Sequence, residues 1–145
     1  LWEKLVWNIP FNGLGVASTA GLESLVSKGQ TMPVQLGDAL STEHLLADPR
    51  WEQCVRALMK ELIAVAKAKG IVLESKLAGG MIERTRAMGS YHASTVIDFE
   101  NGRPIELESM FLEPLRQARA AGVPVPYLEA LCIVLEKLAR YLPRP

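Results

Sequence analysis

Apolar residues recur along this chain at three- and four-residue steps, and strand-like alternation is scarce. The clearest run spans Pro49 to about Lys69, where Val55, Leu58, Met59, Leu62, Ile63 and Ala66 fall on one helical stripe. Asp48 is a good N-cap and Pro49 a good first residue, while Lys67, Lys69 and Gly70 suit the C-terminal end. A second helix opens at Pro126 and turns Leu128, Leu131, Cys132, Leu135, Leu138 and Leu142 to its buried face. A third covers about Glu106 to Ala121, stops at Gly122, and is expected to kink at Pro114, because an interior proline deletes a backbone hydrogen bond. Shorter helices are predicted near Thr42 to Ala47 after Ser41, near Gly80 to Met88, and near His92 to Asn101 with Gly102 ending it. The opening stretch from Leu1 to Val26 reads as a long interrupted helix, weakened at Pro10 and at its glycines. Lone glycines cost a helix about 1 kcal/mol each against alanine, so close packing or a ligand is expected there. Lys28 to Ala39 is a loop. The pattern predicts an all-α bundle of six or seven helices.

Composition narrows the classes of function. The chain has 145 residues, 49% of them hydrophobic and 22% charged, which is enough for one domain with a real core. Sixteen basic and sixteen acidic side chains give a formal net charge of zero, hence no global field for nucleic acid or an anionic membrane. The longest uncharged run, Leu5 to Leu22, carries Asn8, Pro10 and Asn12 besides three glycines and is a poor membrane span. Cys54 and Cys132 fall in apolar helical patterns and read as buried reduced thiols of a cytoplasmic protein, with a reactive thiol as the alternative. The chain starts at Leu1 inside an apparent helix, which suggests a piece of a longer protein.

Several chemistries lack their residues. GLGVAS, Gly13 to Ser18, is a poor dinucleotide fingerprint: its sixth residue is wrong and no strand precedes it. No phosphate-loop lysine motif is present. His44 and His92 have no ligand partner at helical spacing, and no acid obviously completes a triad with His92 and Ser94. One constellation stands out. Lys4, Asn8 and Asn12 are spaced i, i+4, i+8, which puts an ammonium and two amides on one helical face with a drift of about 40° per step. Asparagine is a poor helix former, so two in an apolar helix need a reason. They either bridge neighbouring backbone groups or face a ligand.

WEKLVWNIPFNGL resembles the first helix of the C-terminal domain of ketopantoate reductases (2-dehydropantoate 2-reductases), and STVIDFENGRPIELE, Ser94 to Glu108, is similar to that family's later segment of serine, aspartate, Gly-Arg-Pro and glutamate. AVAKAKGI and AAGVPVPYLEAL fit the connecting pattern, so the likeness covers nearly the whole chain. The resemblance implies residues 1–145 as one helical substrate-binding and dimerisation domain, like the C-terminal domain of 6-phosphogluconate-dehydrogenase-like reductases. A separate N-terminal Rossmann domain would bind most of the NADPH, and the active site would lie in the cleft between the two. It implies reduction of a 2-keto acid such as 2-dehydropantoate, in the cytoplasm, by an enzyme that pairs as a homodimer. Nucleic acid and membrane partners are not expected. By similarity, Lys4 is the general acid, Asn8 and Asn12 are substrate-side amides, Ser94 holds the carboxylate region, and Glu106 assists substrate binding. Burial would lower the pKa of Lys4 and a neighbouring Glu106 would raise it, so its direction stays open. Arg103 is read as structural or cofactor-adjacent. Ala93 and Thr95 stand where the family commonly has proline and methionine, and Ser109, Met110 and Phe111 replace its Asn-Gly stretch, which leaves the exact keto acid open. The competing reading is a non-catalytic helical interaction module. It predicts that Lys4, Asn8, Ser94 and Glu106 are dispersed or sealed, whereas the enzyme reading predicts that they converge on an open cleft.

Overall fold

In the computed structural model, which describes residues 1–141, the chain is all-helical as the spacing predicts. Its centre is a rod that changes helix type three times. It begins as α1 (Trp2–Asn8), widens into a π-turn (Ile9–Gly13), returns to α2 (Leu14–Ala17), and tightens into a 3₁₀ turn (Ser18–Ala20). Pro10 explains the widening. It has no N–H for the Val6 carbonyl and its ring crowds that carbonyl, so the rod passes through only with a looser turn. Every side chain from Ile9 to Ala20 is buried, so the rod runs through the core rather than over it. Gly21, at φ 83°, then splits off α3 (Leu22–Val26). That break, which the pattern alone placed inside one helix, brings the described residues to eight continuous helical rods.

The other helices surround the rod. They are α4 (Thr42–Ala47), α5 (Pro49–Ala68), α6 (Leu77–Ala87), α7 (Ser94–Glu100), α8 (Glu113–Ala120) and α9 (Pro126–Ala139). The long helices α5 and α9 pack on the rod and on each other, while α7 and a second π-turn (Glu108–Leu112) pack against Ile9–Gly13. Asp48 caps α5 by accepting the Arg50 N–H at 2.9 Å. At the other end, the Ile71 N–H reaches the Ala66 carbonyl at 2.8 Å and the Gly70 N–H reaches Lys67 at 3.0 Å. This closure needs the left-handed backbone of Gly70, φ 86°. Gly102 and Gly122 end α7 and α8 with the same bond pattern. The distortion expected at Pro114 falls one turn earlier, in the π-turn, because the proline ring would strike the Met110 carbonyl four residues back. The helix expected from Gly80 begins at Leu77, and the one expected from His92 begins at Ser94. Leu142 lies outside the described residues.

One acid does structural work. Glu61 on α5 accepts the Tyr127 and Leu128 N–H groups, both at 2.9 Å, and so caps α9 from a neighbouring helix. Half-burial pushes its carboxyl above the ordinary glutamate value, although the two N–H bonds pull the other way. Glu61→Ala is expected to lose about 1–2 kcal/mol by freeing two donors at a helix start. A urea midpoint unchanged from the parent would show that water caps α9 equally well.

Both cysteines are buried and unbridged. Burial pushes the Cys132 thiol up to about 12, and its Sγ lies 3.6 Å from the Phe111 carbonyl. Cys54 is raised by burial as well. Both shifts disfavour the thiolate, which supports the reading of buried structural thiols over a reactive one. Among the described residues no helix is long and apolar enough to cross a membrane, and no group of three or more His, Cys, Asp or Glu could hold a metal ion.

Candidate functional site

Lys4 and Asn8 stand one turn apart on α1 and line one wall of an open groove. The opposite wall is α6, which contributes Met81, Arg84 and Thr85, with Met88 just beyond its end. Trp7 closes the floor. Its indole N–H donates to the Thr85 hydroxyl at 2.8 Å, and that hydroxyl donates in turn to the Met81 carbonyl at 2.7 Å. The Trp7 ring also packs on Phe11 at 5.0 Å and on Tyr91 at 6.4 Å between centroids. These contacts fix the indole from three sides, so α1 and α6 hold one spacing across the groove. Lys4 is exposed, Asn8 is half-buried, and Glu3 is the one acid on the walls.

Asn12 is placed differently. It is 2% exposed, and its side-chain oxygen accepts the Thr95 N–H at 2.9 Å. Helix α7 needs that oxygen, because its own N-cap is Ala93, which has no side-chain acceptor. The asparagine thus caps, across the core, a helix that begins 82 positions later at Ser94. Of the two readings of the paired asparagines, backbone bridging describes Asn12, while Asn8 faces the groove.

Ser94 is exposed on the first turn of α7, and Glu106 is exposed just before the second π-turn. Neither belongs to the groove walls that carry Lys4 and Asn8. The link between the two regions is indirect: α7 and that π-turn pack on Ile9–Gly13, and Asn12 holds the residue next to Ser94. Arg103 donates to Asp98 at 3.0 Å, which accounts for it as a structural pair. His92 bonds Glu100 at 2.9 Å, and the His44 ring meets Ser41 at 3.0 Å. Both histidines therefore have local partners.

The glycines of GLGVAS are explained by packing. A Cβ on Gly13 would come within 2.6 Å of Leu131 Cδ2 and 2.9 Å of Phe111 Cε1, and one on Gly15 would overlap Val96. No phosphate could approach that backbone. The walls from α6, and Trp7 as the floor, did not figure among the sequence-derived site residues. The helical pair Trp7 and Phe11 was a usable signal for the floor. Nothing local marks Arg84 or Thr85, since only the tertiary fold brings α6 against α1.

Residues 1–139 match the family described as "Ketopantoate reductase PanE/ApbA C terminal", and the chain belongs to that family. It is 33% identical over 130 residues to a 2-dehydropantoate 2-reductase of Nostoc sp., a match covering 90% of this chain and 34% of that protein. It superimposes on the 2-dehydropantoate 2-reductase of Methylococcus capsulatus with a TM-score of 0.80 and 30% identity, covering 99% of this chain and 43% of the other. For the enzyme of Geobacter metallireducens the values are 0.73, 36%, 94% and 39%. The chain spans about a third of the length of the curated relatives it matches.

Proposed function

We propose that this chain is the C-terminal half of an NADPH-dependent reductase that converts a 2-keto acid, 2-dehydropantoate or a close analogue, to the 2-hydroxy acid. The observation that carries the reading is the pairing of Lys4 with Asn8 on one open groove in a chain of this family. An N-terminal Rossmann domain would hold the cofactor: the glycines of GLGVAS are filled by Leu131, Phe111 and Val96, and the chain spans about a third of the length of its relatives. When bound, that cofactor supplies the hydride. This chain supplies the complement. As the carbonyl carbon gains a hydride, negative charge develops on the oxygen. The Lys4 ammonium stabilises that charge and donates the proton that completes the alcohol. Asn8 orients the substrate through a neutral amide, without adding charge. Asn12 acts one step removed, by seating the start of α7 and with it Ser94. In this reading Ser94 and Glu106, which lie outside the walls of the groove, would meet the substrate from α7 and the segment before the second π-turn. Pairing of two copies through the helical half and a cytoplasmic setting belong to the same proposal. The groups divide between the two readings: Lys4 and Asn8 open onto a groove, as the enzyme reading expects, whereas Ser94 and Glu106 stand apart from it, as the interaction-module reading expects, and the family match supports the enzyme half.

The test is a screen of the full-length protein against a panel of 2-keto acids with NADPH and NADH, followed by loss of nicotinamide absorbance. Turnover of at least one 2-keto acid is expected, with NADPH preferred. Absence of turnover across the panel with both cofactors would overturn the reading.

A further inference from the structure

Of the three tryptophans, Trp2 and Trp51 are buried, and Trp7 is the one left half-open, at the floor of the groove. Beside it stands Tyr91, 41% exposed, with its ring tilted against the indole at 6.4 Å. Met88, 47% exposed and on the groove lining, extends this apolar patch. Position along the chain ties the patch to the groups already assigned. Trp7 lies between Lys4 and Asn8 on α1, and Tyr91 lies three residues before Ser94, in the link between α6 and α7. The two rings thus join the wall that carries the lysine to the segment that leads into Ser94.

Both rings are held in place. The indole N–H is occupied by Thr85, and Phe11 packs on the indole at 5.0 Å. The buried Thr42 pins the link that carries Tyr91: its N–H donates to the Tyr91 carbonyl at 2.8 Å and its hydroxyl to the Gly89 carbonyl at 3.3 Å. A surface fixed in advance loses little freedom when a ligand lands on it.

What this surface offers is chemically narrow. The Thr85 hydroxyl accepts from Trp7 and donates to the Met81 carbonyl, so it is engaged on both sides. Ring surface and a thioether remain. A substrate hydroxyl pressed against them loses water and gains no partner. A flat ring gains face and edge contacts with the indole and the phenol, and a sulfur contact with Met88. The side group of 2-dehydropantoate carries such a hydroxyl, whereas that of an aryl 2-keto acid does not.

We infer that Trp7 and Tyr91 form the platform for the substrate's side group and select 2-keto acids with an aromatic side group over 2-dehydropantoate. This rests on the reductase reading above and narrows its substrate class. The carbonyl and carboxylate stay with the groups already named.

The test uses the full-length protein with NADPH, wild type and Tyr91→Ala and Tyr91→Phe, on benzoylformate and 2-dehydropantoate. The wild type is expected to favour benzoylformate by at least about 10-fold in kcat/KM, and Tyr91→Ala to cut that preference by about 10-fold, mainly through the KM for benzoylformate. Tyr91→Phe should keep it, because the ring and not the hydroxyl makes the contact. Preference of the wild type for 2-dehydropantoate, equal losses on both acids in Tyr91→Ala, or a loss in Tyr91→Phe as large as in Tyr91→Ala would overturn the assignment. So would a rise in the KM for NADPH alone, which would mean that the cofactor half covers the rings. Calorimetric titration with benzoylformate separates this claim from the reductase reading. If the wild type binds benzoylformate without reducing any 2-keto acid, and Tyr91→Ala weakens that binding, the platform stands and the reductase reading falls. If wild type and Tyr91→Ala bind it alike, the platform falls. If the wild type shows neither turnover nor binding, both are wrong.

Discussion

Lys4→Ala in the full-length protein lowers kcat by about 10²–10⁴-fold, the usual contribution of one positioned general acid. Stability should stay within about 0.5 kcal/mol of the parent, since Lys4 is exposed and α1 keeps its buried face through Trp2 and Val6. The loss belongs in kcat because the ammonium acts on charge that exists only as the hydride arrives. Lys4→Arg sharpens the experiment. It keeps the positive charge but supplies no transferable proton near neutral pH. If Lys4 served as a charge alone, the arginine variant would recover most of the rate. If it is the acid, the variant should stay close to alanine. Steady-state rates with a thermal melt as the folding control decide between these, and an unchanged kcat for Lys4→Ala would remove it from the mechanism.

Leu131→Ala is expected to destabilise the fold by about 2–5 kcal/mol, the range for emptying a buried leucine site. Leu131 is fully buried on α9, and its methyl groups fill the notch left by Gly13 on the central rod. The notch gives a sharper prediction than the cavity. In the parent, Gly13→Ala forces a methyl against Leu131 and Phe111, and both are sealed in the core. The variant should therefore lose about 1–3 kcal/mol to overpacking. Once Leu131 is shortened, most of that collision is gone, and the better helix propensity of alanine is worth up to about 1 kcal/mol. Because the 2.9 Å approach to Phe111 remains, Gly13→Ala should cost less in the Leu131→Ala background than in the parent without becoming free of cost. A double-mutant cycle in urea reads this coupling, and simple additivity of the two changes would show that Gly13 is not there for Leu131.

What could be read from the chain differs from element to element for physical reasons. Helices α4 and α5 were legible to within a residue or two, and α9 at its start, because those ends are written locally: Ser41, Asp48 and the prolines at 49 and 126 mark starts, and Gly70 marks a stop. The π-turns were not. Pro10 and Pro114 announce trouble but do not say whether a helix bends, breaks or widens, and burial of the whole rod between α5 and α9 decides for widening. The Lys4–Asn8 face was legible because both residues share one helix. The division between Asn8 and Asn12 was not, since it depends on Ala93, an alanine that leaves a distant helix without a cap. The α6 wall of the groove was invisible for the same reason, as Arg84 and Thr85 meet α1 only through the fold.

The notch at Gly13 also has a mechanical meaning. A helix advances about 1.5 Å per residue, so a slip of the rod by one position would carry a Cβ into the space that Leu131 occupies. Gly15 against Val96 locks the same rod to α7. The rod therefore cannot act as a piston. The wall of the groove that α1 forms thus keeps its axial position against α7 and α9.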